Sequence, residues 1–479
     1  MASQNWIENI KRLLAGIVLA QLALTGNAAE LGGDWSGTLK VSSAIQLPLV
    51  IHLQHSADKW QGTLDSPAQG AFAIPMSSVE VDGNRLEFEI ASLQASYRGM
   101  LDSQHGIIRG TFSQGQPIEL ELSRHTPSAG QAGELVRPQT PVAPFPYEVE
   151  EVQVLNKAAD ITLAGTLTRP EGEIKASAIL ITGSGPQDRD ESIVGHKPFA
   201  VIADHLTRKG FAVLRLDDRG VGQSSGNFAT ATSADFAGDI SAAVDYLQGR
   251  EDIPSQSIGL IGHSEGGMIA PMVASQRDDL AFVIMMAAPG VEIIDLYIEQ
   301  RMNIFRSLGV QESNLNKISR LDRSVFEQIN QLSSGESLTS ETLESLREIS
   351  RTTEVSNPSD IDSQVAALAQ TYASPWFRYF LKFDPEPHIK GLNMPVLALN
   401  GSLDIQVSAQ QNLSGIRKAL SASQHGDFQI VELEGLNHLF QTAETGVVTE
   451  YGAIQETIAP KALNLMSNWL AERFTQPGT

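Results

Sequence analysis

Serine acts as a nucleophile only where a base can take its proton and the backbone presents its hydroxyl clear of its neighbours. Two segments of this 479-residue chain hold a serine between glycines as G-x-S-x-G: Gly262-His263-Ser264-Glu265-Gly266 and Gly222-Gln223-Ser224-Ser225-Gly226. The spacing does not choose between them, but the flanking sequence does. The apolar run Ile258 to Ile261 leads straight into the first, and Met268, Ile269 and Met272 follow at helical spacing. That predicts a strand, a sharp turn and a helix whose N-terminal N–H groups face the place where an oxyanion would form. Around Ser224, Asp217 to Gly222 intervene after the strand ending at Leu216, and Asn227-Phe228-Ala229-Thr230 reads as loop. Ser264 is the nucleophile candidate, and Ser224 a loop serine.

The base is sought among ten histidines. His438 follows an apolar run, Phe428 to Leu433, and Glu434-Gly435-Leu436-Asn437, which sets it beyond the last strand's carboxyl end, where sheets of this kind bind ligands. Asp404, beyond the strand Pro395 to Leu399, is the carboxylate that would hold the imidazole tautomer. Glu434 is its rival, but lies in the same loop as His438. Two N–H groups are needed to hold an oxyanion. Glu265, the residue after the nucleophile, supplies one, and the loop Thr182-Gly183-Ser184-Gly185-Pro186 the other, with Ser184 chosen and Gly185 close behind.

The elements that carry these residues alternate. Strands at Ala178 to Ile181, Phe211 to Leu216, Ile258 to Ile261, Leu280 to Met286, Pro395 to Leu399 and Phe428 to Leu433 are separated by helical stretches. Continuous apolar strands between helices imply a mostly parallel sheet covered on both faces. The alternation breaks over about 292–390, a charged, Ser/Glu-rich stretch of helical period that reads as an inserted cap. Within it, Trp376-Phe377-Arg378-Tyr379-Phe380 suits either a pocket wall or cap packing.

Before residue 124 the period is two, as in Leu86-Glu87-Phe88-Glu89-Ile90 and Ile118-Glu119-Leu120-Glu121-Leu122. A short motif recurs at Trp35-Ser36-Gly37, Trp60-Gln61-Gly62, Tyr97-Arg98-Gly99 and Ile108-Arg109-Gly110, as if one strand type were reused in an antiparallel meander curved at its glycines. The expected division is a signal peptide over 1–29, a small antiparallel β domain over 30–124, a Pro/Gly-rich linker over 125–146 and a catalytic domain over 147–479. Lys11-Arg12, the apolar run Leu13 to Leu24 and the small residues up to Ala29 describe a secretory signal, too short to span a membrane, so a periplasmic or secreted protein is expected.

A net charge of −22 argues against nucleic acid or anionic lipid as the main partner. Without cysteine there are no disulfides or thiolate sites. His52-x-x-His55 lacks the ligands for a metal site, and Gly220-x-Gly222-x-x-x-Gly226 lacks the spacing and lysine of a phosphate loop. No cofactor or metal is expected. Asp188-Arg189-Asp190 offers either a substrate clamp or mutual ion pairs.

Gly262-His263-Ser264-Glu265-Gly266-Gly267, the Gly183–Asp190 loop, Asp218-Arg219-Gly220-Val221-Gly222, Leu399–Val407 and Leu436-Asn437-His438 resemble secreted bacterial α/β-hydrolases, specifically EstD-like serine carboxylesterases. The similarity spans roughly residues 147–474, and the N-terminal β domain is also similar. In one departure from broader hydrolase patterns, Thr182-Gly183 stands where His-Gly is usual. The resemblance implies an α/β-hydrolase fold with a helical cap and a metal-independent esterase acting on a small-molecule ester. A serine peptidase of the prolyl-oligopeptidase-like type keeps the same machinery. A ligand-binding protein with a vestigial hydrolase domain is the third reading.

Overall fold

The computed structural model describes residues 31–40, 46–56, 59–66, 71–90, 95–114, 116–124, 137–332, 336–353 and 361–474. The expected signal peptide and the first part of the expected linker lie outside these. The chain divides into two compact units, residues 1–134 and 135–479.

In the first unit, alternation produces one antiparallel sheet. Its nine strands are β1 (Gly33–Lys40), β2 (Gln46–Ser56), β3 (Lys59–Ser66), β4 (Ala71–Pro75), β5 (Ser78–Asp82), β6 (Arg85–Ile90), β7 (Ala95–Asp102), β8 (Ile107–Gln114) and β9 (Gln116–Arg124). They lie in the order β4-β3-β2-β1-β9-β8-β7-β6-β5, so the first strand pairs with the last. The buried face gathers Trp35, Ile51, Leu64, Phe88, Tyr97, Ile108 and Leu120 in one cluster. Two of the four recurrent glycines, Gly99 and Gly110, are explained by Tyr97. Gly99 and Gly110 face each other across β7 and β8, and a Cβ on Gly110 would stand 2.6 Å from Tyr97 Cζ. The ring therefore lies flat over bare backbone and donates its hydroxyl to the Leu120 carbonyl at 3.1 Å.

The second unit opens with a hairpin, β10 (Tyr147–Asn156) and β11 (Ile161–Pro170). Then β12 (Ala176–Ile181), β13 (Phe211–Leu216), β14 (Ile258–His263), β15 (Phe282–Met286), β16 (Val396–Gly401) and β17 (Phe428–Leu433) build a sheet ordered β10-β11-β13-β12-β14-β15-β16-β17. From β13 to β17 neighbours run parallel, while β10, β11 and β13 pair antiparallel. Every residue of β12 to β16 is buried, because helices cover both faces. Helices α1 (Pro198–Arg208), with proline in its first turn, α2 (Ser233–Gln248) and α3 (Glu265–Ala274) fall between the strands as the alternation predicts. Thr232 and Asp235 form a capping box at the start of α2, satisfying donors the helix leaves unpaired.

The break in alternation is a helical cap: α4 (Ile293–Ser307), α5 (Glu312–Gln331), α6 (Ser340–Thr353), α7 (Ile361–Ala373), α8 (Pro375–Leu381) and α9 (Glu386–Lys390). It has a core of its own around Ile318, Phe326, Ile349, Tyr372 and Phe377. The sheet resumes with β16, followed by α10 (Ala409–Ala422), β17 and α11 (Pro460–Phe474). Within the stretch expected as a linker, Arg137 and Gln139 make hydrogen bonds to the second unit. Arg137 donates to the Val194 and Gly452 carbonyls at 2.8 Å each and also to Ile454. Gln139 donates to the Ile458 carbonyl at 2.7 Å and accepts the Thr457 N–H at 2.6 Å. These residues are bound parts of the second unit.

Candidate active site

Ser264 is the single residue between β14 and α3, with φ 55° and ψ −118°. A non-glycine residue there is strained by about 1–3 kcal/mol, and only surrounding structure keeps it so. Its N–H donates to the Met286 carbonyl at 2.9 Å, and its carbonyl accepts from Gly267 at 2.9 Å. The flanking glycines follow from close approach. A Cβ on Gly262 would be 2.0 Å from the Gly266 carbonyl oxygen, and one on Gly266 would be 2.1 Å from that of Ile181. The elbow thus presses the start of α3 onto the end of β12, beside the loop that begins at Thr182.

Ser224 sits differently. It is buried, donates its hydroxyl to the Asp217 carbonyl at 2.8 Å and accepts the Ala164 N–H at 2.9 Å. It ties a loop to β11.

His438 follows β17 and Asp404 follows β16; His438 Nδ1 and Asp404 Oδ2 are 2.8 Å apart, with both side chains buried. The other carboxylate oxygen of Asp404 accepts the Gln406 and Val407 N–H groups at 2.8 and 2.9 Å, which fixes its rotation. Asn437 Oδ1 accepts from Leu439 and Gln441, each at 3.0 Å, and so shapes the His438 loop. Glu434, the rival acid, is exposed. Ser264, His438, Ser184 and Glu265 line one cavity of about 240 Å³, walled in part by Trp376, Phe380, Leu296 and Val407. The N–H of Glu265 opens α3 next to the nucleophile. The Gly183 N–H is already taken, donating to Glu191 Oε1 at 2.7 Å.

The pairing of Glu191 with His263, a residue of the elbow motif, went unnoticed in the sequence. Glu191 Oε1 also lies 2.9 Å from His263 Nδ1, and His263 Nε2 lies 3.0 Å from the His438 carbonyl oxygen. Burial works to lower the His263 pKa, but the charge and hydrogen bond of Glu191 outweigh it, and the value is raised. The side chain of Glu265 is a second surprise. Its Oε1 accepts from Ser233 Oγ at 2.6 Å and from Trp376 Nε1 at 2.9 Å. Burial raises its pKa against the hydrogen bonds from Ser233, Trp376 and Ser184. Asp218, which accepts from Thr182 Oγ1 and the Gln187 N–H, is pushed up to about 7, mainly by burial and further by the charges of Glu265 and Glu191. The only signal for these groups was that carboxylates stood in the loops after β12 and β13. Nothing in spacing marks which loops meet.

Other candidates resolve into structure. Arg189 pairs with Asp217 and Glu151, and Asp190 with Arg215 and Lys197. Asp188 Oδ1 accepts the Asp190 and Ser192 N–H groups at 3.1 and 2.9 Å. The clamp is therefore an internal network. His52 lies between Asp34 and Asp65, at 2.8 and 3.0 Å. The aromatic run divides its work: Trp376 and Phe380 line the cavity, and Phe377 packs in the cap core.

Residues 197–358 match the family profile of serine aminopeptidase, S33. The chain is 28% identical over 292 residues to esterase EstD of Thermotoga maritima, a match spanning 60% of this chain and 60% of EstD. Among solved structures, the Pyrococcus furiosus esterase Pf2001 superposes with a TM-score of 0.42 at 13% identity, over 69% of this chain and 92% of that one. Est1E of Butyrivibrio proteoclasticus, with ferulic acid bound, gives 0.39 at 15% identity, over 67% and 96%. The sheet order, the inserted helical cap and the serine elbow described above give this chain an α/β-hydrolase fold, and its sequence is similar to that of EstD.

Proposed function

We propose that the chain is a serine carboxylesterase that hydrolyses short-chain carboxylic esters through an acyl-enzyme. The observation that carries the reading is a serine at a positive-φ elbow sharing a cavity with a histidine whose far nitrogen meets a buried aspartate. In this reading Ser264 Oγ attacks the ester carbonyl carbon while His438 Nε2 takes its proton. The new C–O bond makes a tetrahedral oxyanion, held by the N–H groups of Glu265 and Ser184. As the oxyanion collapses, the carbon–alkoxide bond breaks and His438 gives its proton to the departing alcohol. Water then repeats the sequence on the acyl-enzyme, releasing the acid. Asp404 stabilises the imidazolium throughout.

The cavity, whose lining includes Glu191 and Glu265, supports a small substrate without negative charge. Gln187, Gln300, Gln406 and Tyr297 offer hydrogen bonds, and no Lys or Arg is among its lining residues as described. EstD is named an esterase. The serine aminopeptidase profile favours a second reading, a serine peptidase on the same machinery. A panel of acetyl to hexanoyl esters and matched peptide anilides, run with and without chelator, separates the two. Faster turnover of short esters, indifferent to chelator, is expected; peptide anilides outpacing them would promote the peptidase. We also propose export, on Lys11-Arg12 and the apolar run after them. Cell fractionation with N-terminal sequencing checks it, and an intact N-terminus in the cytoplasm would refute it.

A further inference from the structure

The side chain of Glu265 has no part in the scheme above, which uses only its N–H. It stands where three elements meet. Oε1 takes the Ser233 hydroxyl, at the start of α2, and the indole N–H of Trp376, on the cap helix α8. The side chain of Ser184, in the loop after β12, is hydrogen-bonded to the same carboxyl. Trp376 stacks on Phe380 with ring centroids 5.2 Å apart, and both line the cavity.

We propose that the Glu265 side chain is a positioning residue for the esterase reaction, latching the pocket wall Trp376 and the oxyanion loop at Ser184 to the nucleophile's own helix. The inference rests on the esterase reading and adds to it what sets the acyl pocket's length. One residue would then supply one oxyanion donor through its backbone and aim the other through its side chain. It would also hold the aromatic pair that limits how far an acyl chain extends.

A carboxylate so near a forming oxyanion would oppose it at low dielectric. Burial raises the Glu265 pKa and so weighs against the charged form, while the hydrogen bonds are available to a neutral group as well. A glutamine reproduces that neutral group: its oxygen accepts from Ser233 and Trp376, and its amide donates to Ser184.

The test compares Glu265→Gln, Glu265→Ala and Trp376→Phe in the full chain. Kcat and KM are measured on acetyl, butyryl and hexanoyl esters, alongside the rate of fluorophosphonate labelling. Glu265→Ala is expected to lower kcat on each ester at least about 10-fold, part of the roughly 100-fold that losing a whole oxyanion donor costs. It should slow labelling in parallel and shift preference toward the longer chains. Glu265→Gln should recover most of the loss. Trp376→Phe, which keeps the ring but loses the N–H, should shift the chain-length profile through KM more than kcat. If Glu265→Ala fails to fold, the other two variants still decide. A wild-type chain-length profile in Trp376→Phe, or Glu265→Gln as impaired as Glu265→Ala, overturns the latch. If the wild-type chain labels at Ser264 but hydrolyses no ester, the esterase reading fails. The labelling rates then judge the latch alone: slowing in Glu265→Ala supports it, and an unchanged rate refutes it.

Discussion

His52 and His438 each meet an aspartate at the same distance. His52 Nδ1 and Asp34 Oδ1, on β2 and β1, are 2.8 Å apart, as are His438 Nδ1 and Asp404 Oδ2. The side chains of the first pair are 33% and 53% exposed, those of the second 6% and 0%. The contrast follows from how each sheet buries itself. In the sheet of β1 to β9 only one face is covered, so β7 alternates between buried and less buried residues and polar groups spread along its outer face. In the parallel sheet both faces are covered, and β12 to β16 leave side chains free only at their ends. Residues beyond the ends of β14, β16 and β17 are thereby gathered in one place. A short hydrogen bond is common; its address decides whether it can do chemistry.

The comparison breaks most visibly at the serines. A fluorophosphonate probe should label the wild-type chain and fail on Ser264→Ala. Ser224→Ala should still be labelled, although losing two buried hydrogen bonds should destabilise it by about 1–3 kcal/mol. Labelling that persists in Ser264→Ala would move the nucleophile elsewhere. Next come the two aspartates. Asp404→Asn should cut kcat by about 10⁴-fold through the wrong histidine tautomer, while Asp34→Asn, in an exposed pair, should leave turnover intact. Equal losses would erase the distinction, and a crippled Glu434→Gln beside a normal Asp404→Asn would name the other acid.

A smaller effect is expected from removing the first sheet altogether. A chain beginning at Leu135 keeps Arg137 and Gln139 and should turn over a small soluble ester within a few-fold of the full chain. A folded, inactive truncation would show that residues before 135 help build the site. The smallest effect concerns Asp218. Held at about 7 against about 3.9 in an unfolded chain, it keeps a proton on folding that the unfolded chain has lost. Its contribution to stability therefore falls as pH rises from about 4 to 7 and is flat above that. Asp218→Asn removes the dependence, so its melting temperature should gain on the wild type by on the order of a few degrees between pH 5 and 8. A difference constant with pH would contradict this.

Strand ends were legible because apolar runs and their loops are contiguous in sequence, and the candidates Ser264, Asp404 and His438 were chosen that way. The two-residue period likewise announced β6 and β9. Groups brought together by loops from different strands were not legible: Glu191 meets His263 across 72 residues and Trp376 meets Glu265 across 111. No periodicity records such meetings. The placing of β1 between β2 and β9 was hidden for the same reason, since alternation says which face a strand buries and not which strand it joins.

Arg137 and Gln139 have a consequence for the order of assembly. They close on residues 317 and 319 positions further along, so the catalytic unit cannot complete that seam until nearly all of the chain has left the ribosome. The sheet of β1 to β9 pairs mainly successive strands, and its longest closure joins Trp35 to Arg124. Contacts near in sequence form sooner than those that must first close a long loop. During synthesis, then, the first sheet can fold while the catalytic unit still lacks its last helix.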